Sequence, residues 1–366
     1  MTLVKRMAPV CLVVIGALAL QAPAVSAHGG PDGDTVVVHP GQLIQDAIDG
    51  ARPGTTIVVE PGVYHESLQI TTDSITLRGA DPDDANTVLA PPAVPPTNLC
   101  TTVNGAPSGI CVLGQFTPDG QVLKTVDNDR ISGLKIQDFP ASGVFGLATD
   151  RLSVSEVTAL NDGEYGIARF ASTGSRLVHN QTAGNQEAGL YVGDSPDADT
   201  VVSDNRTWNN GWGVFVRHSQ EVQVTDNESW GNCLGVLVLD DGSSGGVGDV
   251  TVRDNRVHDN NRSCPPNEEH PFPISGGGIV AIGAVHTGID HNTVTGNVGS
   301  TQVSGGVVLI SAQPIDGGAS ESNDTVRDNR LRGNQLADIV WDGAGAGNKF
   351  FDNECASSMP PGLCGE

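Results

Sequence analysis

Asp194, Arg217, His218, Asp240 and Asp241 are the residues of this chain best placed to do chemistry. Asp194, His218 and Asp240 each sit just past a short apolar run: Leu190-Tyr191-Val192, Val214-Phe215-Val216 and Val236-Leu237-Val238. If those runs are strands stacked on successive turns of one coil, the three residues occupy equivalent places and lie side by side. An imidazole, a guanidinium and several carboxylates in one place can move protons. Hydrolysis of a glycosidic bond needs a proton donor and a second group acting as base or nucleophile. Here Arg217 or His218 would serve as base, with Asp194, Asp240 and Asp241 as acids or ligands, and Arg169 would join from the preceding turn. The plainer alternative is that Asp and Ser at strand ends are ordinary turn residues, and Asp240-Asp241-Gly242 an ordinary loop exit.

Strand side chains alternate between two faces. If the apolar residue after each glycine points inward, the residues facing outward include Phe145, Phe170, Tyr191 and Phe215. Four rings on one face form a stacking platform for sugar rings, or else a second small core covered by loops.

Both expectations depend on a coil, and a repeat supplies it. An apolar residue is followed three positions later by Asn and, after five more, by a second Asn. Leu177, Val202, Val224, Val252, Ile289 and Val326 precede Asn180, Asn205, Asn227, Asn255, Asn292 and Asn329. The second set is Asn185, Asn210, Asn232, Asn260, Asn297 and Asn334, and a partial unit ends at Asn353. The first asparagines lie 25, 22, 28, 37 and 37 residues apart, while the five-residue step stays fixed. Fixed bends with variable loops are what strands stacked at about 4.8 Å require. The fold expected is all-β: a single-stranded right-handed parallel β-helix, a solenoid with a short N-terminal capping α-helix. Asn suits its bends because it tolerates left-handed backbone and because its amide can bond the amides of neighbouring coils. That ladder role outweighs glycosylation at the sequons beginning at Asn180, Asn205 and Asn227.

The remaining organisation follows from composition. Residues 1–27 read as a signal peptide, with Lys5 and Arg6, an apolar run from Val10 to Leu20, and small residues before His28. The run is too short to span a membrane, so the expectation is a secreted, extracellular protein without a membrane span. Residues 28–55 form the cap, where Leu43, Ile44, Ala47 and Ile48 make one apolar face. Residues 56–366 form the coil, with insertions at about 91–111, 261–277, 298–305 and 312–322. Cys11 leaves with the leader, and the other cysteines fall into local pairs expected as disulfides: Cys100–Cys111, Cys233–Cys264 and Cys355–Cys364. A net charge of −24 repels nucleic acid and anionic membranes. It also repels polyanionic sugars unless divalent cations or a basic patch intervene. The histidines at 258, 270, 286 and 291 lack ligand spacing and read mostly as solvent-facing.

The segment GQLIQDAIDGARPGTTIVVEPGVYHESLQIT, the following ITLRGA, and units such as VTDNESWGNCLGVLV resemble the pectin-lyase-like superfamily over nearly the whole mature chain. The resemblance is nearest to its secreted repeat-rich members, the NosD-like and the carbohydrate-binding or sugar-hydrolase groups. It implies a carbohydrate-facing groove along one sheet and supplies no reaction; the expected partner is a polysaccharide and the expected enzyme, if it is one, a polysaccharide lyase or glycoside hydrolase. Elimination in such a fold needs a base, often Arg or Lys, and charge neutralisation that commonly comes from calcium on carboxylates. The NTD, GHG and RIK set of polygalacturonases and the WiDH motif of pectate lyases are missing, which argues against those two activities. A non-catalytic surface or assembly protein is the alternative. A NosD-like, copper-related periplasmic role, with an N-terminal His28 as ligand, is a third.

Overall fold

The computed structural model describes residues 27–30, 33–81, 86–117, 120–242, 245–267, 270 and 272–365. The leader read at 1–27 lies outside these except for Ala27. The chain winds into a right-handed parallel β-helix, each turn adding one strand to each of three sheets of 13, 10 and 11 strands. One coil shows the plan: Thr200–Ser203 in the first sheet, Arg206–Trp208 in the second and Trp212–Ser219 in the third. Each strand pairs in register with its successor, Val202 with Val224, Thr207 with Ser229, and Val214 with Val236. Alternation sends Val202, Val214 and Val216 into one continuous apolar bore.

The asparagines form the expected ladders. In the first, Asn180 Nδ2 donates to Asn205 Oδ1 at 3.0 Å, Asn205 to Asn227 at 2.9 Å, and Asn227 to Asn255 at 3.0 Å. The series continues through Asn292 and Asn329 to Asn353. The second ladder runs from Asn185 to Asn334 and ends on the Asp338 carboxylate. The left-handed residue is not the ladder Asn but the one before it: His179, Asp204, Asp226, Asp254, His291 and Asp328 all have φ between 54° and 58°. The bend is made there, which frees the following amide to point along the coil axis.

The first sheet begins ahead of the cap helix, with Gly33–Val38 parallel to Thr56–Val59. Ala27–Gly30 adds an antiparallel strand outside it. The helix Ile44–Asp49 buries Ile44, Ala47 and Ile48 over the end of the bore, whereas Leu43 stands 54% exposed and leaves the expected apolar face. Leu43 offers no capping side chain. The Glu66 carboxylate instead accepts from the free Ile44 and Gln45 amides at 2.8 and 3.0 Å. The 91–111 excursion, read as a loop, holds a short helix, Leu99–Asn104, capped by Asn98. Cys100–Cys111, Cys233–Cys264 and Cys355–Cys364 are disulfide-bonded.

Candidate functional site

Gly193 pairs with Arg217 and Ser195 with Ser219, so Asp194 and His218 are neighbours on adjacent coils; Arg217 in turn pairs with Leu239, which aligns His218 with Asp240. These residues open the turn that leaves the third sheet. That position is left-handed on several coils and holds Ala148, Ala171, Asp194, His218 and Gly283, with φ from 44° to 64°. On three adjacent coils the equivalent position carries a titratable side chain, Asp194, His218 and Asp240, where Ala148, Ala171 and Gly283 stand on others.

Side-chain direction separates the carboxylates. Asp241 Oδ2 accepts from Arg217 Nε at 2.9 Å and from the terminal guanidinium nitrogen at 2.5 Å, while Asp241 Oδ1 lies 2.5 Å from His218 Nε2. His218 Nδ1 is 3.2 Å from Asp194 Oδ1. The imidazole is therefore clamped between two acids. Asp240, aligned with His218 in the sheet, turns away and accepts from the Gly242 and Ala319 amides, both at 2.9 Å. It ties down two loops. The Tyr191 hydroxyl lies across Gly193; a Cβ there would be 2.2 Å from that oxygen, so only glycine leaves room.

Burial opposes protonation of His218 and the Arg217 charge opposes it further. The hydrogen bonds to Asp194 and Asp241 outweigh both and raise its pKa above the ordinary imidazole value. Burial likewise works against the Arg217 charge, but Tyr191 and Asp241 hold the guanidinium more firmly protonated than usual. The network is mostly covered: the side chain of His218 is 1% exposed and that of Asp241 11%, while Asp194 reaches solvent at 41%.

His218, Asp240 and Asp241 each offer a ligand atom within 4.8 Å of the others. The set does not fit calcium. One ligand is a nitrogen, Asp240 is held by two amides, and Asp241 already faces a guanidinium that would repel a cation.

Other expectations are redistributed. Arg169 does not join the cluster: it aligns with Gly146 and Val192 inside the bore, fully buried. It donates there to Ser175 Oγ, Ser195 Oγ and the Ser172 and Ala198 carbonyls. Desolvation lowers its pKa to about 9. Phe145, Phe170, Tyr191 and Phe215 do point away from the bore, yet they lie buried in a second apolar cluster with Tyr165 and Trp212. Their rings pack on one another at 4.7 to 5.2 Å, so they offer no open platform. His270 packs on Trp212 and His258 stacks on Trp230, whereas His286 and His291 are exposed.

A model of the right-handed beta helix region matches residues 100–228 and 142–315, together more than half the chain. The chain belongs to this family. No curated protein matches this β-helix chain. Solved structures with a similar fold do. The A-module of mannuronan C-5 epimerase AlgE4 from Azotobacter vinelandii is 17% identical, with 86% of this chain and 91% of that one covered and a TM-score of 0.56. The periplasmic alginate epimerase AlgG is 15% identical over 89% of this β-helix and 86% of its own chain, with a TM-score of 0.54. DFA-IIIase from Arthrobacter chlorophenolicus is 13% identical, with 86% and 79% covered and a TM-score of 0.58.

One feature of this β-helix escaped the sequence reading. Trp208, Trp230 and His258 stack on the outer face of the second sheet, Trp208 and Trp230 at 5.1 Å and 9°. Each lies two residues before a second-ladder asparagine, and that shared position was the available signal.

Proposed function

We propose that this is an exported β-helix that engages a polysaccharide at the edge of its third sheet, with Asp194 and His218 as the working pair. The carrying observation is the clamp itself: an imidazole with raised proton affinity, held at 3.2 Å from the one carboxylate of the network that is well exposed. In this reading Asp194 accepts a proton from a sugar hydroxyl, and the His218 imidazolium offsets the charge change. Arg217 and Asp241 hold the imidazole in place and are positioning residues. The names of two solved neighbours are those of polysaccharide epimerases, which adds a fold-level argument. Three disulfides fit export to an oxidising compartment. The charge of −24 and the pairing of Arg217 favour a neutral glycan over a polyanion.

The test is incubation with neutral and acidic polysaccharides, with and without calcium, following binding, new reducing ends, unsaturated ends and C5 inversion by proton NMR. A product that Asp194→Asn and His218→Asn both abolish supports catalysis at the pair. Absence of binding and of product across the panel refutes the proposal. The burial of Arg217, His218 and Asp241 favours a second reading, a non-catalytic scaffold in which the network braces the turns. Glycan binding unaffected by both substitutions, with no product, selects it.

A further inference from the structure

A coil of this fold closes in as few as 22 residues, so the insertions at 261–277 and 298–305 are not needed to wind it. They meet one another. Gly276 has a φ of 71°, and a Cβ there would stand 2.3 Å from the Gly299 nitrogen, so the two loops touch backbone to backbone. Between them lies a cleft of about 700 Å³, bordered also by Gln335 from the following coil. It sits where strands enter the third sheet, whereas Asp194 and His218 lie where strands leave it.

The walls are fixed before any ligand arrives. The Cys233–Cys264 disulfide anchors the first insertion, and mutual hydrogen bonds between Cys264 and Ile274 close its limbs at 2.9 and 3.1 Å. The second is tied by Thr301 Oγ1 and Ser304 Oγ, which donate to the Ser275 carbonyl at 3.1 and 2.7 Å, and by the Val298 amide on Asn261 Oδ1 at 2.5 Å. Those bonds occupy Thr301. The side chains of Ser263, Ser300, Gln302 and Gln335, which also line the cleft, form no hydrogen bond among the described residues.

Among the described residues, none that lines the cleft is charged. An anion would find no cation among the described lining residues and would meet the field of a strongly acidic protein; a cation would find no carboxylate among them. What the cleft offers is hydroxyls, two amides with both donor and acceptor ends, and the partly exposed Phe272 ring. Polar groups of both senses beside one apolar face match a sugar, and the size falls within the ordinary range of about 300–1,000 Å³ for small-ligand sites. We infer that this cleft binds an uncharged oligosaccharide, as a subsite separate from the Asp194–His218 pair. The inference does not rest on catalysis there.

The test uses the full mature chain and four uncharged trisaccharides (β-glucan, mannan, xylan and fructan fragments), with trigalacturonate as the charged control. Binding is followed by isothermal titration and saturation-transfer NMR. At least one uncharged trisaccharide should bind and trigalacturonate should not, with affinity falling tenfold or more in both Phe272→Ala and Gln302→Glu. Gln302 is exposed, so Gln302→Glu keeps the fold even if Phe272→Ala does not. Asp194→Asn should leave trisaccharide affinity intact while removing any chemistry at the pair, which separates failure of one proposal from failure of the other. No binding of any uncharged trisaccharide, binding indifferent to Gln302→Glu, or equal loss in Asp194→Asn overturns the cleft as a subsite.

Discussion

Asp324→Asn should stabilise the protein at pH 8 and leave it nearly unchanged at pH 4. Asp324 is 1% exposed; its Oδ1 accepts from the Thr287 amide at 2.7 Å, and its Oδ2 is buried without a partner among the described residues. Burial raises its pKa from 3.8 to about 7, the Thr287 bond opposing and the Glu321 charge adding to the rise. A raised acid pKa means that the folded state holds a proton the unfolded chain has released. Stability from this group is therefore complete below about pH 4, declines as pH climbs to about 7, and is flat beyond. At about 1.36 kcal/mol per unit, the loss between pH 5 and pH 8 is about 2–3 kcal/mol. Asparagine fits the position: on the next coil Asn348 accepts from the Asp324 amide at 2.9 Å and donates its Nδ2 to the Glu321 carbonyl. Asp129 shares the geometry and titrates in the same window, so the quantity to measure is variant minus wild type at each pH. Urea unfolding at pH 5 and pH 8 should show the Asp324→Asn advantage growing by about 2–3 kcal/mol. An advantage equal at both pH values, or a variant weaker at pH 8, would refute the assignment of a neutral buried acid.

Asn227→Ala should cost about 3 kcal/mol in the same assay, because it strands the Asn205 amide, one hydrogen of Asn205 Nδ2 and the Val202 carbonyl in a dry bend, while Asn255 Oδ1 keeps the backbone amide of residue 227; a cost below about 1 kcal/mol would show that water replaces the ladder. The His218 imidazole, followed by NMR, should titrate above 6.5, and its contribution to stability, full below that value, should vanish as pH rises through the folded midpoint. A midpoint below 6.5 would mean that burial and Arg217 outweigh the two acids. Replacing both Cys233 and Cys264 by serine opens a 31-residue separation and should lower stability by about 3–4 kcal/mol, read by urea unfolding.

The coil was legible because its geometry writes one demand into every turn. A bend whose buried amide must bond the amides above and below admits few residues, so Asn205, Asn227 and Asn255 return at fixed steps whatever the loops between them do. The site obeys no such rule. The turn that carries Asp194 and His218 needs only a left-handed residue, and Ala148, Ala171 and Gly283 meet that need as well, so position alone says nothing about chemistry. Register placed His218 beside Asp240, but the side chain that meets it belongs to Asp241, one residue on. What turns Asp240 aside is the Ala319 amide, 79 residues downstream in a loop whose path no local pattern records. The aromatic face failed for the same reason. Alternation correctly sends Phe145, Phe170, Tyr191 and Phe215 away from the bore, yet their cover is made of residues such as Tyr165, Trp212 and the partly buried Phe272. Phe272 comes from an insertion outside the repeat. Periodic constraints are readable from one sequence because every coil restates them, whereas cover and side-chain direction are set once each, by residues distant along the chain.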